Sequence, residues 1–172
     1  YAGDIRSDVK PGQFRLSYLM GTWGIMLGLE DPRDRYGSGA INATGNYPDI
    51  VLAVTGGVGG LNLRGAVAFT DTDSGTGWGA NLAATAKLGV VDIKGVISYS
   101  DNAKSYTGGS SCSQTLSVNN NGVAKWHPCD DGQWWSGFLS AAVALSANFK
   151  AAGTISYQAG PNDDDDLWVG AA

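Results

Sequence analysis

Apolar and polar residues alternate with a period of two along most of this chain. Leu61, Leu63, Val67 and Phe69 interleave with Asn62, Arg64, Ala66 and Ala68, and Leu82, Ala84, Ala86 and Leu88 with Asn81, Ala83, Thr85 and Lys87. Val91, Ile93, Ile97 and Tyr99 interleave with Asp92, Lys94 and Ser98, and Trp135, Leu139, Val143, Leu145 and Phe149 with Ser136, Ser140, Ser146 and Asn148. Weaker versions run through residues 13–20, 22–29, 48–55 and 154–158. Successive side chains of a strand point to opposite faces, so the pattern predicts about nine half-apolar strands. The alanine-rich piece 139–147 is helical by propensity, but its strand-like neighbours argue for β.

The connections carry as much information as the strands. Tight joins at 20–22, 56–59, 87–90 and 149–153 alternate with longer stretches at 30–47, 71–75, 101–133 and 160–166. In an up-and-down antiparallel sheet, successive joins lie at opposite ends, so one end carries short turns and the other long loops. That asymmetry belongs to outer-membrane β-barrels, with short periplasmic turns and long extracellular loops. Segments of about 9 to 13 residues are also what a tilted strand needs to cross a bilayer. The expected fold is therefore all-β, an antiparallel up-and-down transmembrane barrel. Residues 1–172 form part of one barrel domain, and 101–133 a long extracellular loop.

Composition sharpens this picture. Only 16% of the 172 residues are charged, 26 are glycine, the net charge is −5 and the mean hydropathy is −0.10. Lipid-facing positions cannot carry charge and lumen-facing ones need only mild polarity, so a near-zero mean is the average of two faces. Disorder does not fit a chain with 10% aromatics, and scattered Lys and Arg exclude a nucleic-acid partner. No run approaches the length of a transmembrane helix. Tyr18, Trp23, Phe69, Trp78, Tyr99, Trp135, Phe149 and Tyr157 fall near strand ends, where barrels carry aromatic girdles. Arg15, Arg64, Lys87, Asp92 and Lys94 fall on the polar register, where a lumen tolerates charge; on the lipid face each would cost about 2–4 kcal/mol. Arg15 and Arg64 lie inside strands and are the first candidates for setting ion selectivity. Lys87, Asp92 and Lys94 flank a turn and equally suit the periplasmic rim.

Catalytic chemistry finds no footing. His127 is the single histidine and sits without a nucleophile-elbow motif. Cys112, His127 and Cys129 are too few for a structural zinc site. The glycines at 56–60 lack the lysine and helix of a phosphate loop. No enzyme activity and no cofactor are expected. Cys112 and Cys129 close a short polar loop, which suggests a disulfide formed in an oxidising compartment; free thiols are the alternative. Such a bridge would contribute roughly 3 kcal/mol. Asp163, Asp164, Asp165 and Asp166 could hold a divalent cation bridging lipopolysaccharide phosphates, but their spacing is not that of an EF-hand, and a solvated acidic loop is the simpler reading.

Several short segments resemble the general porins of alphaproteobacteria, the Brucella and rhizobial type. Leu29-Glu-Asp-Pro32 ends a strand, Asn46-Tyr-Pro-Asp-Ile-Val51 opens the next, and Ile97-Ser-Tyr-Ser-Asp-Asn-Ala103 precedes Gly108-Gly109. Their order matches the second half of that family, over residues 13–172. The resemblance implies a sixteen-stranded barrel, a homotrimer in outer-membrane lipid and lipopolysaccharide, and passive diffusion of small hydrophilic solutes and ions. Family members are about twice this length and end in an aromatic strand. The abrupt opening Tyr1-Ala-Gly-Asp and the strand-like ending Leu167–Ala172 therefore read as cuts within a longer barrel of a Gram-negative outer membrane, with residues 1–12 the tail of an infolded constriction loop. Two rivals stand beside this reading. One is a structural or adhesive outer-membrane barrel with surface-binding loops. The other is a soluble secreted β-sandwich binding carbohydrate through Trp126, Trp134 and Trp135.

Overall fold

The computed structural model describes residues 12–31, 47–72, 75–103, 106–107, 115–118, 124–127, 132–160 and 167–171. Eleven strands account for nearly all of them: β1 Gln13–Met20, β2 Trp23–Glu30, β3 Asp49–Val58, β4 Leu61–Thr72, β5 Gly75–Leu88, β6 Val91–Asp101, β7 Thr115–Val118, β8 Ala124–His127, β9 Gln133–Ser146, β10 Phe149–Ala159 and β11 Leu167–Ala171. Nine form one sheet in the order β1-β2-β3-β4-β5-β6-β9-β10-β11, and β7 and β8 form a separate ribbon. Every neighbouring pair is antiparallel. The main sheet is thus an up-and-down meander, as the period-two pattern predicts.

Register converts the sequence alternation into two continuous faces, because directly paired residues point the same way. One row runs Leu16, Leu27, Leu52, Val67, Ala80, Tyr99, Trp135 across seven strands. The next row on that face runs Tyr18, Ile25, Val54, Gly65, Leu82, Ile97, Gly137, Tyr157. Between them, on the opposite face, lie Ser17, Met26, Ala53, Ala66, Asn81, Ser98, Ser136 and Gln158.

Burial is inverted relative to a water-soluble sheet. Ile25, Leu27, Leu52, Val54, Leu82, Ile97, Leu139 and Ile155 are all exposed, while Val51, Ala53, Ala68, Ala103 and Trp134 are the buried hydrophobics among the described residues. Glu30, Asp49, Thr70, Ser98, Ser100 and Thr107 are buried as well. Along β2 and β3 the large apolar positions are exposed, and the opposite positions Gly24, Gly28, Glu30, Asp49, Val51 and Ala53 are buried. Small and polar side chains are thus crowded together on one side of the sheet, and large apolar ones spread over the other.

Four joins at one end hold two residues each: Gly21–Thr22, Gly59–Gly60, Gly89–Val90 and Ala147–Asn148. Gly59 and Gly60 both take positive φ, 56° and 85°, the backbone that matches the right-handed twist of flanking strands in a tight hairpin. Two expected joins shift. Residues 56 and 57 belong to β3 and residues 149–153 to β10, so the turns fall at 59–60 and 147–148. A Cβ on Gly56 would collide with the Trp23 ring; that glycine serves ring packing, not a turn. The expected longer stretch at 71–75 is also corrected. β4 and β5 pair as far as Thr72↔Gly75, leaving only residues 73 and 74 between them. At this end only the joins after β2, β6 and β10 are longer.

Candidate functional site

All five charged positions expected on the polar register lie on the small-residue face. Arg15 pairs with Gly28, Arg64 with Thr55 and Ala83, Lys87 with Asp92, and Lys94 with Thr85 and Ser140. Arg15, Arg64, Lys87 and Lys94 are exposed and Asp92 is half-buried. Asp92 accepts a hydrogen bond from Lys150 Nζ at 3.3 Å, across the intervening β9. Lys150 belongs to β10 on this face, although the sequence reading placed it in a turn. Asn81, Ser98, Ser136, Ser140, Thr154 and Gln158 share this face, and Thr154 Oγ1 donates to Ser140 Oγ at 3.0 Å.

Toward the long-loop end, the segment after β6 turns inward onto the same face. Asn102 has a φ of 51°. Its backbone N–H donates to the Gly132 carbonyl, and its side-chain Oδ1 accepts from the Gly132 N–H, both at 3.0 Å. These bonds close the neck of the connection between β6 and β9. Tyr106 N–H then donates to the Ala103 carbonyl at 2.9 Å, Tyr106 Oη donates to Asp49 Oδ2 at 2.7 Å, and Ser136 Oγ donates to the Thr107 carbonyl. The strap fits because β5 offers glycine beneath it. A Cβ on Gly79 would stand 2.7 Å from Tyr106 Cβ, and one on Gly77 would overlap the Asn102 carbonyl. Ala103, Thr107, Asp49 and Ser100 are buried where the strap meets the sheet.

The apolar face carries the aromatics. Tyr99 pairs with Trp135, their ring centroids 4.6 Å apart, and Trp78 lies 5.2 Å from Tyr99. Phe69 pairs with Trp78, completing a cluster toward the long-loop end. Trp23 begins β2 and Phe149 begins β10, both beside two-residue turns. Tyr18 and Tyr157 occupy one register row with Leu82 and Ile97.

Two of the tryptophans of the soluble carbohydrate-binding alternative, Trp134 and Trp135, do not share a face. Trp134 faces the polar side and is 5% exposed, whereas its neighbour Trp135 faces the apolar side and is 47% exposed. Trp126 stands on β8, in the separate ribbon. Nor is there a second sheet layer of the kind a sandwich requires among the described residues. Cys112, Cys129, Asp163, Asp164, Asp165, Asp166 and residues 1–11 lie outside the described residues.

Comparison with known proteins gives a structural likeness only. No protein-family model matches the sequence, and no curated protein does. Among solved structures, the chain is similar to a refined porin structure, with a TM-score of 0.56 at 14% identity. The match covers 90% of this chain and 47% of that porin, so the chain spans about half its length. At that identity the likeness is one of fold: this chain is built as a porin-like antiparallel β-sheet.

Proposed function

We propose that the chain forms part of the wall of an outer-membrane porin, a water-filled channel through which small hydrophilic solutes and ions diffuse passively. The observation that carries this reading is the inverted sheet. In water, an exposed face holding Leu16, Ile25, Leu27, Leu52, Leu82 and Ile97 would far exceed the apolar patches that soluble monomers tolerate. Facing hydrocarbon, the same side chains are at home, and the charges of the strand interiors, Arg15, Arg64 and Lys94, all lie on the other face. A closed barrel also pairs the edges that β1 and β11 leave open, which a spanning sheet requires. Fold likeness to a porin of about twice the length agrees with a complete barrel of about sixteen strands.

The alphaproteobacterial type, homotrimeric assembly, contact with lipopolysaccharide and location in a Gram-negative outer membrane belong to the same proposal, on the motifs at 29–32, 46–51 and 97–103. No chemical step is involved and no cofactor is required. The test is conductance of the whole protein in planar bilayers. Discrete steps of ohmic current are expected on insertion. A folded, inserted barrel that passes no ions would leave the adhesive reading in its place.

A further inference from the structure

The charges of the polar face sort by sign and by exposure. Its cations, Arg15, Arg64, Lys87, Lys94 and Lys150, are all exposed. Of its acids, Glu30 is 6% exposed and Asp49 is 0% exposed. Asp49 lies beneath the strap, bonded to Tyr106. Asp92, the remaining acid of this face among the described strand residues, is half-buried, ion-paired to Lys150 and opposite Lys87 in register. No ion pair engages Arg64 or Lys94 among the described residues. They stand on adjacent rows of the same face, two strands apart, roughly 12 Å from each other by strand spacing and rise. That is about one and a half Debye lengths at physiological salt, so the two act as separate cationic stations along the wall instead of one fused patch. Lys94 is flanked in register by the hydroxyls of Thr85 and Ser140, and Arg64 by that of Thr55, which supply neutral donors beside each cation.

We infer that this wall favours anions, and that Arg64 and Lys94 are its specificity-determining residues, drawing small phosphate- or carboxylate-bearing solutes ahead of cations of equal size. The inference rests on the channel reading above. A low-dielectric wall focuses the field of unpaired charges into the water it encloses, and charged rings set selectivity in that way. The strap works in the same direction, because it takes the Asp49 carboxylate out of the solute's path while leaving the cations in it.

The experiment is the zero-current potential of the whole protein in a planar bilayer under a potassium chloride gradient. Chloride is expected to be the more permeant ion. The double substitution Arg64→Glu with Lys94→Glu should lower the chloride-to-potassium permeability ratio several-fold, and Asp92→Asn should raise it. Lys94→Gln, a milder change on a polar strand, should lower the ratio by itself and guards against misfolding of the double variant. A parent ratio at or below one, or a ratio that ignores both Lys94→Gln and the double substitution, overturns the inference while leaving the channel in place. Absence of any conductance overturns the channel reading as well.

Discussion

Tyr106 reaches 57 positions back along the chain to donate a 2.7 Å hydrogen bond to Asp49. The bond ties the inward strap of the β6–β9 connection to the first residue of β3, on the polar face of the sheet. Both partners are held where they meet: Asp49 by its register pairing with Glu30 of β2, and Tyr106 by the space over Gly79.

Tyr106→Phe should therefore loosen the strap without disturbing the strands. A hydrogen bond to a charged acceptor in a partly buried site is worth about 1.5–3 kcal/mol. Denaturation in detergent should show a loss near the lower end of that range. Single-channel conductance should fall or flicker as the strap, no longer held on the polar face, moves off the wall into the lumen. Unchanged stability and unchanged conductance would mean that the bond does not hold the strap.

Glycine on β5 is required by approach, and a pair of substitutions separates this from general intolerance. Gly79→Ala introduces a Cβ 2.7 Å from Tyr106 Cβ and should cost about 1–3 kcal/mol, as overpacking does. On the apolar face, a Cβ on Gly95 would meet Leu139 Cδ1 at 3.7 Å, an ordinary contact, so Gly95→Ala should be close to neutral. Equal losses from the two would contradict the packed strap.

The two faces should respond oppositely to charge. Ile97→Arg places a cation on the apolar face between Leu82 and Gly137 and should cost about 2–4 kcal/mol if that position lies near the bilayer midplane. Ser17→Arg, at an exposed position of the polar face in the adjacent register row, should fold and insert with a much smaller penalty. Folding yield into lipid vesicles measures both. Similar penalties would contradict a lipid-facing Ile97.

Much of this architecture is legible in local sequence, and the exceptions have physical causes. Leu61, Leu63, Val67 and Phe69 announce β4 because a half-apolar strand needs only its own alternation to be read. Gly56 and Ala151–Gly153 mislead because small residues suit a turn and a crowded or lipid-facing strand position equally well; only the Trp23 ring over Gly56 or the pairing of Ala151 with Val143 decides. Asp71 and Thr72 read as loop because a hairpin that extends past its apolar rows keeps its ladder but loses its pattern. The ribbon β7–β8 did leave a signal, a Thr-Leu-Ser-Val segment followed by Asn119-Asn-Asn-Gly122, since asparagine and glycine supply hairpin turns. Arg15, Arg64, Lys87, Asp92 and Lys94 could be placed on one face by counting residues. The contact of Tyr106 with Asp49 could not, because nothing local marks a partner 57 positions away.

The aromatic cluster offers a measurable coupling. Tyr99 lies between Trp78 and Trp135, with tilted rings at both contacts. A double-mutant cycle between Tyr99→Leu and Trp135→Leu should return about 0.5–1.5 kcal/mol of interaction beyond the single losses. Additive effects would show that the ring geometry adds nothing to area.

The measurement that bears most directly on the central claim is conductance during modification of single introduced cysteines by a charged, water-soluble thiol reagent, with Cys112 and Cys129 replaced by serine. Cysteines at Ser17, Arg64 and Asn81 sample the polar face, and cysteines at Leu16, Leu63 and Leu82 sample the apolar face one residue away. The account predicts that modification changes single-channel current at the first three positions and leaves it unchanged at the second three. Current that responds at both sets alike, or at neither, would contradict a channel lined by the polar face of this sheet.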